Sequence, residues 1–396
     1  MAGQRCKKKR ERDYPPWREV RALYVHVPFC RRKCRYCDFF SRPVDRELVE
    51  AYLRAAIAEL DARRGVLAGP LDSVFVGGGT PSVLGRRALG DLLEPLSALT
   101  DARTEFSVEV NPESTSATLA RTLAHAGVNR VTVGVQSLEP ELLTFLARAH
   151  GPDDAIGAIR AVRQAGIENV GADLMYGIPG QSAASWGRTL SALIGLGVQH
   201  LSCYALSFEP GTPLHSAWQR GEVTAMDEAL ERALYEQAID LAEQAGMQHY
   251  EISNVAMPGR LCRHNTTYWR NLPYLGIGPA ATSYVDGVRR TTRRDLEAYL
   301  SGRGGWDAPE RFETRERLTG RAAMAETVML ALRMMQGLDR KAFVSRFGTD
   351  VLDVFPRTIR RYLRQGALVL SSTHLRLARS AFFVSDTILA DILAEA

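Results

Sequence analysis

Cys30, Cys34 and Cys37 place three thiols within eight residues, in the spacing CxxxCxxC. Zinc sites usually pair their cysteines as CxxC and add a second pair elsewhere. No second pair exists here, because Cys6, Cys203 and Cys262 stand alone. Three soft ligands without a fourth fit an iron–sulfur cluster with one iron left open. An open coordination position is what a substrate-activating metal needs. Arg31, Arg32, Lys33 and Arg35 lie among the ligands. Cations there favour the thiolate form and offset the negative charge of a thiolate-bound cluster.

The elements that must hold this loop are legible as an alternation. Short β-branched runs at Leu23–Val27, Ser73–Val76, Phe106–Val110, Arg130–Val135, Val170–Leu174 and His200–Leu206 read as strands. Amphipathic helices are expected between them, over 45–64, 86–99, 116–126, 139–148 with 152–165, 182–195 and 224–245. Asp45 is expected to cap the first helix, and Gly127, Gly166 and Gly246 to end three others. Six β-α units in succession imply a parallel sheet with right-handed crossovers. An open doubly wound sheet and a barrel both fit that alternation. The residues at the strand ends favour the barrel. The cysteine loop, Gly77-Gly78-Gly79-Thr80-Pro81, Glu109 with Asn111, Gln136-Ser137, Asp173 and Tyr204 all fall at C-terminal strand ends. In barrel enzymes those ends converge on one site.

Residues 247–300 break the alternation with a Gly/Pro-rich segment at 275–279 and a hairpin turn at Asp286-Gly287. A mostly helical module is expected over 320–396, with helices at 320–335, 339–346, 350–365 and from Ser385. A strand pair, Leu368–Leu370 and Leu375–Leu377, gives it a winged-helix-like character. The expected organisation is a tail (1–20), a barrel (21–246), a connecting segment (247–319) and this module (320–396).

The net charge of +5 arises from 50 basic and 45 acidic residues. Residues 1–12 alone hold six of the basic residues and one of the acidic, which leaves 44 of each in the rest of the chain. A balanced body argues against a nucleic-acid-binding domain. The tail is expected to be disordered, inert or in contact with anionic lipid. No apolar stretch succeeds it as in a secretory signal, and no run of about 18 apolar residues forms a membrane span. Six cysteines in 396 residues do not make a disulfide framework. Together these place the chain in a reducing cytoplasm, with peripheral contact at the inner membrane face as the further expectation.

CxxxCxxC after a first strand, with GGGTP after the second, resembles the radical S-adenosylmethionine (SAM) superfamily. The resemblance implies a [4Fe–4S] cluster on Cys30, Cys34 and Cys37 within a partial (β/α)6 barrel. SAM would chelate the open iron, and its reductive cleavage would yield a 5′-deoxyadenosyl radical. From about residue 21 the chain is similar to the oxygen-independent coproporphyrinogen III oxidase-like group, through VEVNPES, RVTVGVQS, RAHGPDDA, DLMYGIPGQS and YLGIGP. That similarity would put SAM contacts on Tyr24, Tyr36, Gly79, Thr80, Pro81, Glu109, Gln136, Arg148 and Asp173. Glu109 can accept from an ammonium, Arg148 can clamp a carboxylate and Asp173 can hold ribose hydroxyls.

Two branches of that group differ in chemistry. Oxidases carry CxxxCxxCxC and a longer N-terminal extension, whereas here Phe39 takes the fourth cysteine position. HNxxYW, present as His264-Asn265-Thr266-Thr267-Tyr268-Trp269, instead resembles haem chaperones of the HemW type. The implied function is to bind haem and deliver it to apoproteins, notably membrane-bound respiratory enzymes. The alternative is decarboxylation of coproporphyrinogen III. Taken alone, a histidine among aromatics reads as a hydrogen-bonded core residue. Within the motif, His264 is the expected axial haem ligand, Tyr268 and Trp269 a wall for the porphyrin, and Cys262 an alternative ligand. Ala280 and Thr282 replace a glycine and a histidine usual in the group, and Ala378–Ala381 replaces a usual Thr-x-x-Gly.

Overall fold

The computed structural model describes residues 18–302 and 305–396. Most of the basic tail, with Cys6, lies outside the described residues.

The expected alternation forms. Strands β1 (Ala22–Val27), β2 (Ser73–Gly78), β3 (Glu105–Val110), β4 (Arg130–Gln136), β5 (Asn169–Tyr176) and β6 (His200–Ala205) pair in parallel, each with the next. Helices α1 (Arg46–Arg63), α2 (Gly85–Ser97), α3 (Ala117–His125), α4 (Pro140–Phe145), α5 (Pro152–Gln164) and α6 (Ala183–Gly195) connect them. Asp45 caps α1 by accepting from Leu48 N. The glycines expected to end three helices each sit one residue past the final cap, in the left-handed region.

Side chains alternate across the sheet with the period of two that strands impose. Val25, Val76, Val108, Val133 and Ala172 are fully buried in the main apolar core. Burying each larger one contributes about 1.5–3 kcal/mol. The opposite face carries Tyr24, Phe75, Glu109, Thr132 and Asp173. That face is polar for a reason that appears at its C-terminal edge.

The sheet is longer than six strands and does not close. Two short strands after α7 (Pro213–Gln219) and α8 (Glu228–Gln244), β7 (Gln248–Glu251) and β8 (Asn254–Ala256), extend one side antiparallel. After α9 (Arg263–Trp269), strand β9 (Leu275–Ile277) returns to pair in parallel with β1 on the other side. The order is β9-β1-β2-β3-β4-β5-β6-β8-β7. The 275–279 segment is therefore an edge strand and not only a loop.

The hairpin at Asp286-Gly287 joins β10 (Thr282–Val285) to β11 (Val288–Thr292), and β12 (Phe312–Glu316) completes a small sheet. A short helix, α10 (Leu296–Leu300), comes after β11. The C-terminal part contains α11 (Gly320–Leu332), β13 (Leu338–Asp339), α12 (Arg340–Phe347), α13 (Val351–Val354), α14 (Pro356–Arg364), β14 (Leu368–Leu370), β15 (His374–Leu377) and α15 (Ser385–Ala394). The single helix expected over 350–365 is two, because Pro356 lacks the N–H that would continue the first. Its apolar core is continuous with that of the large sheet. No described helix is long and apolar enough to cross a membrane.

Candidate functional site

The cysteine loop leaves β1 at Pro28 and closes on itself at its base. Arg42 N donates to Pro28 O at 2.9 Å and Val44 N to Cys30 O at 3.0 Å. Its far side rests on the end of α4. Arg35 N donates to Leu146 O at 3.3 Å, and the Arg35 guanidinium lies 5.1 Å over the Phe145 ring. Arg32 donates to the carbonyls of Ala147 and Arg148 at 2.8 and 2.7 Å. All three cysteines are part-buried. Burial pushes the Cys37 thiol up to about 11.

The glycine-rich loop is stitched to this one. Gly79 N donates to Val27 O at 2.8 Å and Thr80 N to Phe29 O at 2.7 Å. A Cβ on Gly79 would stand 2.5 Å from Phe29 O and 2.7 Å from Val27 O, so only glycine permits that approach. Thr80 Oγ1 lies 3.4 Å from Cys30 Sγ and accepts from Asn111 Nδ2 at 3.0 Å. Asn111 Oδ1 accepts from Arg148 Nη2 at 2.8 Å, and Arg148 Nη1 donates to Cys34 Sγ at 3.4 Å. A continuous polar chain thus links two of the cysteines through the ends of β2, β3 and β4.

These groups enclose a cavity of about 420 Å³. Cys30, Cys34, Cys37, Tyr36, Gly79, Thr80, Glu109, Gln136, Arg148 and Asp173 all line it. A β-bulge between Gly134 and Gln136 turns Gln136 toward the cavity, at a φ of 65°. Glu109 accepts from Gly78 N at 3.1 Å. Burial, helped by the charge of Asp173, raises Glu109 to about 8. Burial also raises Asp173 to about 6, against a hydrogen bond from Ser202 and the charges of Arg130 and Arg148. Two acids held back from ionising suit a ligand that brings its own positive charge. Asn111, Thr132 and Tyr204 also line the cavity, and the sequence alone does not assign them to it as contacts. Asn111 and Tyr204 carry the strand-end signal that could have found them, whereas Thr132, inside β4, carries none.

Three expected site residues lie elsewhere. Tyr24, on the polar face of β1, is part-buried and does not line the cavity; its hydroxyl lies 3.0 Å from His26 Nδ1. Pro81 is buried and opens a turn of 3-10 helix at Pro81–Leu84. His264 sits at the opposite end of the strands. Glu105, the first residue of β3, accepts from Arg263 N at 2.9 Å and so holds α9 by its N-terminus. His264 Nδ1 lies 2.9 Å from the hydroxyl of Ser73, the first residue of β2, and Nε2 lies 2.7 Å from the Tyr268 hydroxyl. The ring stacks on Phe75 at 5.2 Å. Burial lowers its pKa to about 3. In this arrangement neither nitrogen has a lone pair free for iron. The core-residue reading of this histidine describes its geometry, and the HNxxYW helix plugs the floor of the sheet. Cys262 is buried beside it and caps α9 by accepting from Asn265 N. Trp269 lies under the Arg333 guanidinium at 4.7 Å.

The cavity suits the group its cysteines imply. Three thiols from one loop open onto it, a cation touches one of them, and glycine backbone forms its wall. No three ligands among the described residues surround a single ion position. A cluster that takes one thiolate on each of three irons does not require that.

A family model for the radical SAM superfamily matches residues 24–193, and one for the HemN C-terminal domain matches residues 318–384. The solved structure of HemN, the coproporphyrinogen III oxidase of Escherichia coli, superimposes with a TM-score of 0.80 over 96% of this chain and 91% of that one. Its 20% identity makes this a likeness of fold. An open sheet with a parallel core and this cysteine loop at its C-terminal edge defines a radical SAM protein. The heme chaperone HemW of Bacillus subtilis is 30% identical over 95% of this chain and all of its own length. HemW of Synechocystis is 36% identical over 80% of this chain and 79% of its own, and that of Escherichia coli 32% over 94% and 98%. The chain belongs to the HemW family.

Proposed function

We propose that this protein is a haem chaperone that holds a [4Fe–4S] cluster on Cys30, Cys34 and Cys37 and binds SAM in the cavity beside them. The observation that carries the reading is Phe39, 60% exposed at the cavity edge where the oxidases have a further cysteine. Near-full-length likeness to proteins named heme chaperones supports it. When bound, the cluster would supply an open iron for SAM. Glu109 would accept from an N–H of the SAM amino group, Arg148 would orient Asn111 and steady Cys34, and Asp173 would accept from the ribose hydroxyls. Haem bound by the protein passes to apoproteins, membrane-bound respiratory enzymes being the expected recipients.

The test is one anaerobically reconstituted sample assayed twice. Haem-loaded protein should transfer its Soret absorbance to an apo-haem protein. The same sample, given SAM, reductant and coproporphyrinogen III, should yield no more porphyrin than a Cys34→Ala control. Porphyrin well above that control would replace the chaperone with a decarboxylase.

A further inference from the structure

If the floor helix holds His264 away from iron, the chaperone reading needs another ligand. The chain has eight histidines. Seven of them engage at least one ring nitrogen in a hydrogen bond, and His26, His150, His200 and His264 are buried as well. His215 is different. Among the described residues, neither of its ring nitrogens makes a hydrogen bond, and the side chain is part-exposed.

His215 lies on α7, one turn before Trp218. Its ring centroid is 5.7 Å from that of Trp218, which lies 5.6 Å from Phe208. Trp218 is 44% exposed. Phe208 is part-buried and packs on the cluster that holds Leu206 and Leu214, so it backs the exposed Trp218 ring; an exposed aromatic supported in this way suits a binding surface. The helix is fastened to the cysteine loop, because Leu214 N donates to Arg35 O at 2.9 Å. Ser207 and Glu209, on either side of Phe208, line the cavity. On the same loop Arg31 and Lys33 are exposed and form no hydrogen bond or ion pair among the described residues. A porphyrin asks for three things: flat apolar rings for its faces, cations for its two propionates and a nitrogen for its iron. Among the described residues, only this rim offers a free imidazole with the other two.

We propose that His215 is the axial ligand of the haem, which stacks on Trp218 and Phe208 with its propionates toward Arg31 and Lys33. This rests on the chaperone reading and assigns its haem site to the rim of the cavity, not the floor.

The test uses full-length, cluster-reconstituted protein and ferric haem b, with Soret titration and electron paramagnetic resonance as readouts. His215→Ala should weaken binding at least tenfold and abolish the imidazole-ligated signal. His215→Gly with added imidazole should restore that signal, and His215→Cys should convert it to a thiolate one. His264→Ala should keep the imidazole signal. The proposal is overturned if His215→Ala keeps the wild-type spectrum, whatever His264→Ala does. Wild-type protein that binds no haem would sink the chaperone reading together with it. Haem bound through His264 would leave that reading intact and remove only the rim site.

Discussion

Arg148 donates a hydrogen bond from Nη1 to the sulfur of Cys34 at 3.4 Å, across 114 residues of chain. Its Nη2 donates to Gly134 O at 2.7 Å, so the guanidinium is held on a second side. A fixed cation against a ligand thiolate stabilises the form that iron needs. Charge-assisted bonds of this kind are worth about 1.5–3 kcal/mol. Arg148→Leu should therefore lower cluster occupancy about tenfold under limiting iron, and Arg148→Lys should fall between. Iron and sulfide counted per chain after anaerobic reconstitution check this. Equal counts in all three proteins would show that the contact is incidental.

Buried Glu109 makes the protein sensitive to alkali. Glu109 holds its proton up to about pH 8 in the folded state, while the unfolded chain releases it in the ordinary carboxylate range. The folded state then binds more protons between those limits, so stability falls as pH rises from about 4.5 to about 8. Glu109→Gln should remove this loss and stabilise the protein above pH 8 by on the order of a few kcal/mol. Denaturant melts at pH 6 and pH 9 measure it. A variant that shows the same difference between the two would exclude Glu109 as the source.

His264 has the opposite sign. It stays neutral in the fold down to about pH 3, whereas the free imidazole takes a proton near 6.5. The unfolded chain then binds the extra proton, and stability drains away as pH falls from about 6.5 toward 3. His264→Ala should shallow that acid slope. At neutral pH it should cost about 2–4 kcal/mol, since Ser73 and Tyr268 lose their partner and a void opens beside Phe75. A neutral-pH melt within about 0.5 kcal/mol of wild type would mean that the plug is dispensable.

Ala280 takes the place of a glycine usual in the group and adopts a φ of 63°. A side chain there meets its own backbone, at a cost of about 1–2 kcal/mol that glycine avoids. Glycine returns part of the gain through greater freedom in the unfolded chain. Ala280→Gly should still stabilise by about 0.5–1 kcal/mol. Differential scanning calorimetry would detect the rise in Tm, and a fall would show that Ala280 is better accommodated than its backbone angle implies.

The parts of this molecule that local chemistry dictates were readable in its residues. The six parallel strands announced themselves as short apolar runs, and the helices between them by their apolar period. Cys30, Gly79, Glu109 and Asp173 meet at one edge because parallel strands bring their C-terminal ends together. Features that depend on distant pairing were not readable. Nothing in Leu275–Ile277 says that it returns to β1, and nothing in the spacing of HNxxYW says which end of the sheet receives it. Tyr24, the third residue of β1, stands farther from the C-terminal strand end than Glu109, the fifth residue of β3, and it does not line the cavity. Asn111 escaped assignment because its role is to join Thr80 to Arg148, a relationship between three strands.

The loop that carries the cysteines is moored from several sides: to Pro28 and Thr80 at its base, to α4 through Arg32 and Arg35, to α7 through Leu214, and to the hairpin side through Arg294, whose guanidinium donates to Asp38 O at 3.4 Å. These bonds tie the loop into the fold apart from any group its thiols would hold. A cluster destroyed by oxygen would leave behind a folded socket, ready to be refilled without refolding. With the proposed cluster in place, damage at the iron would then be a repairable event, not a reason to discard the chain.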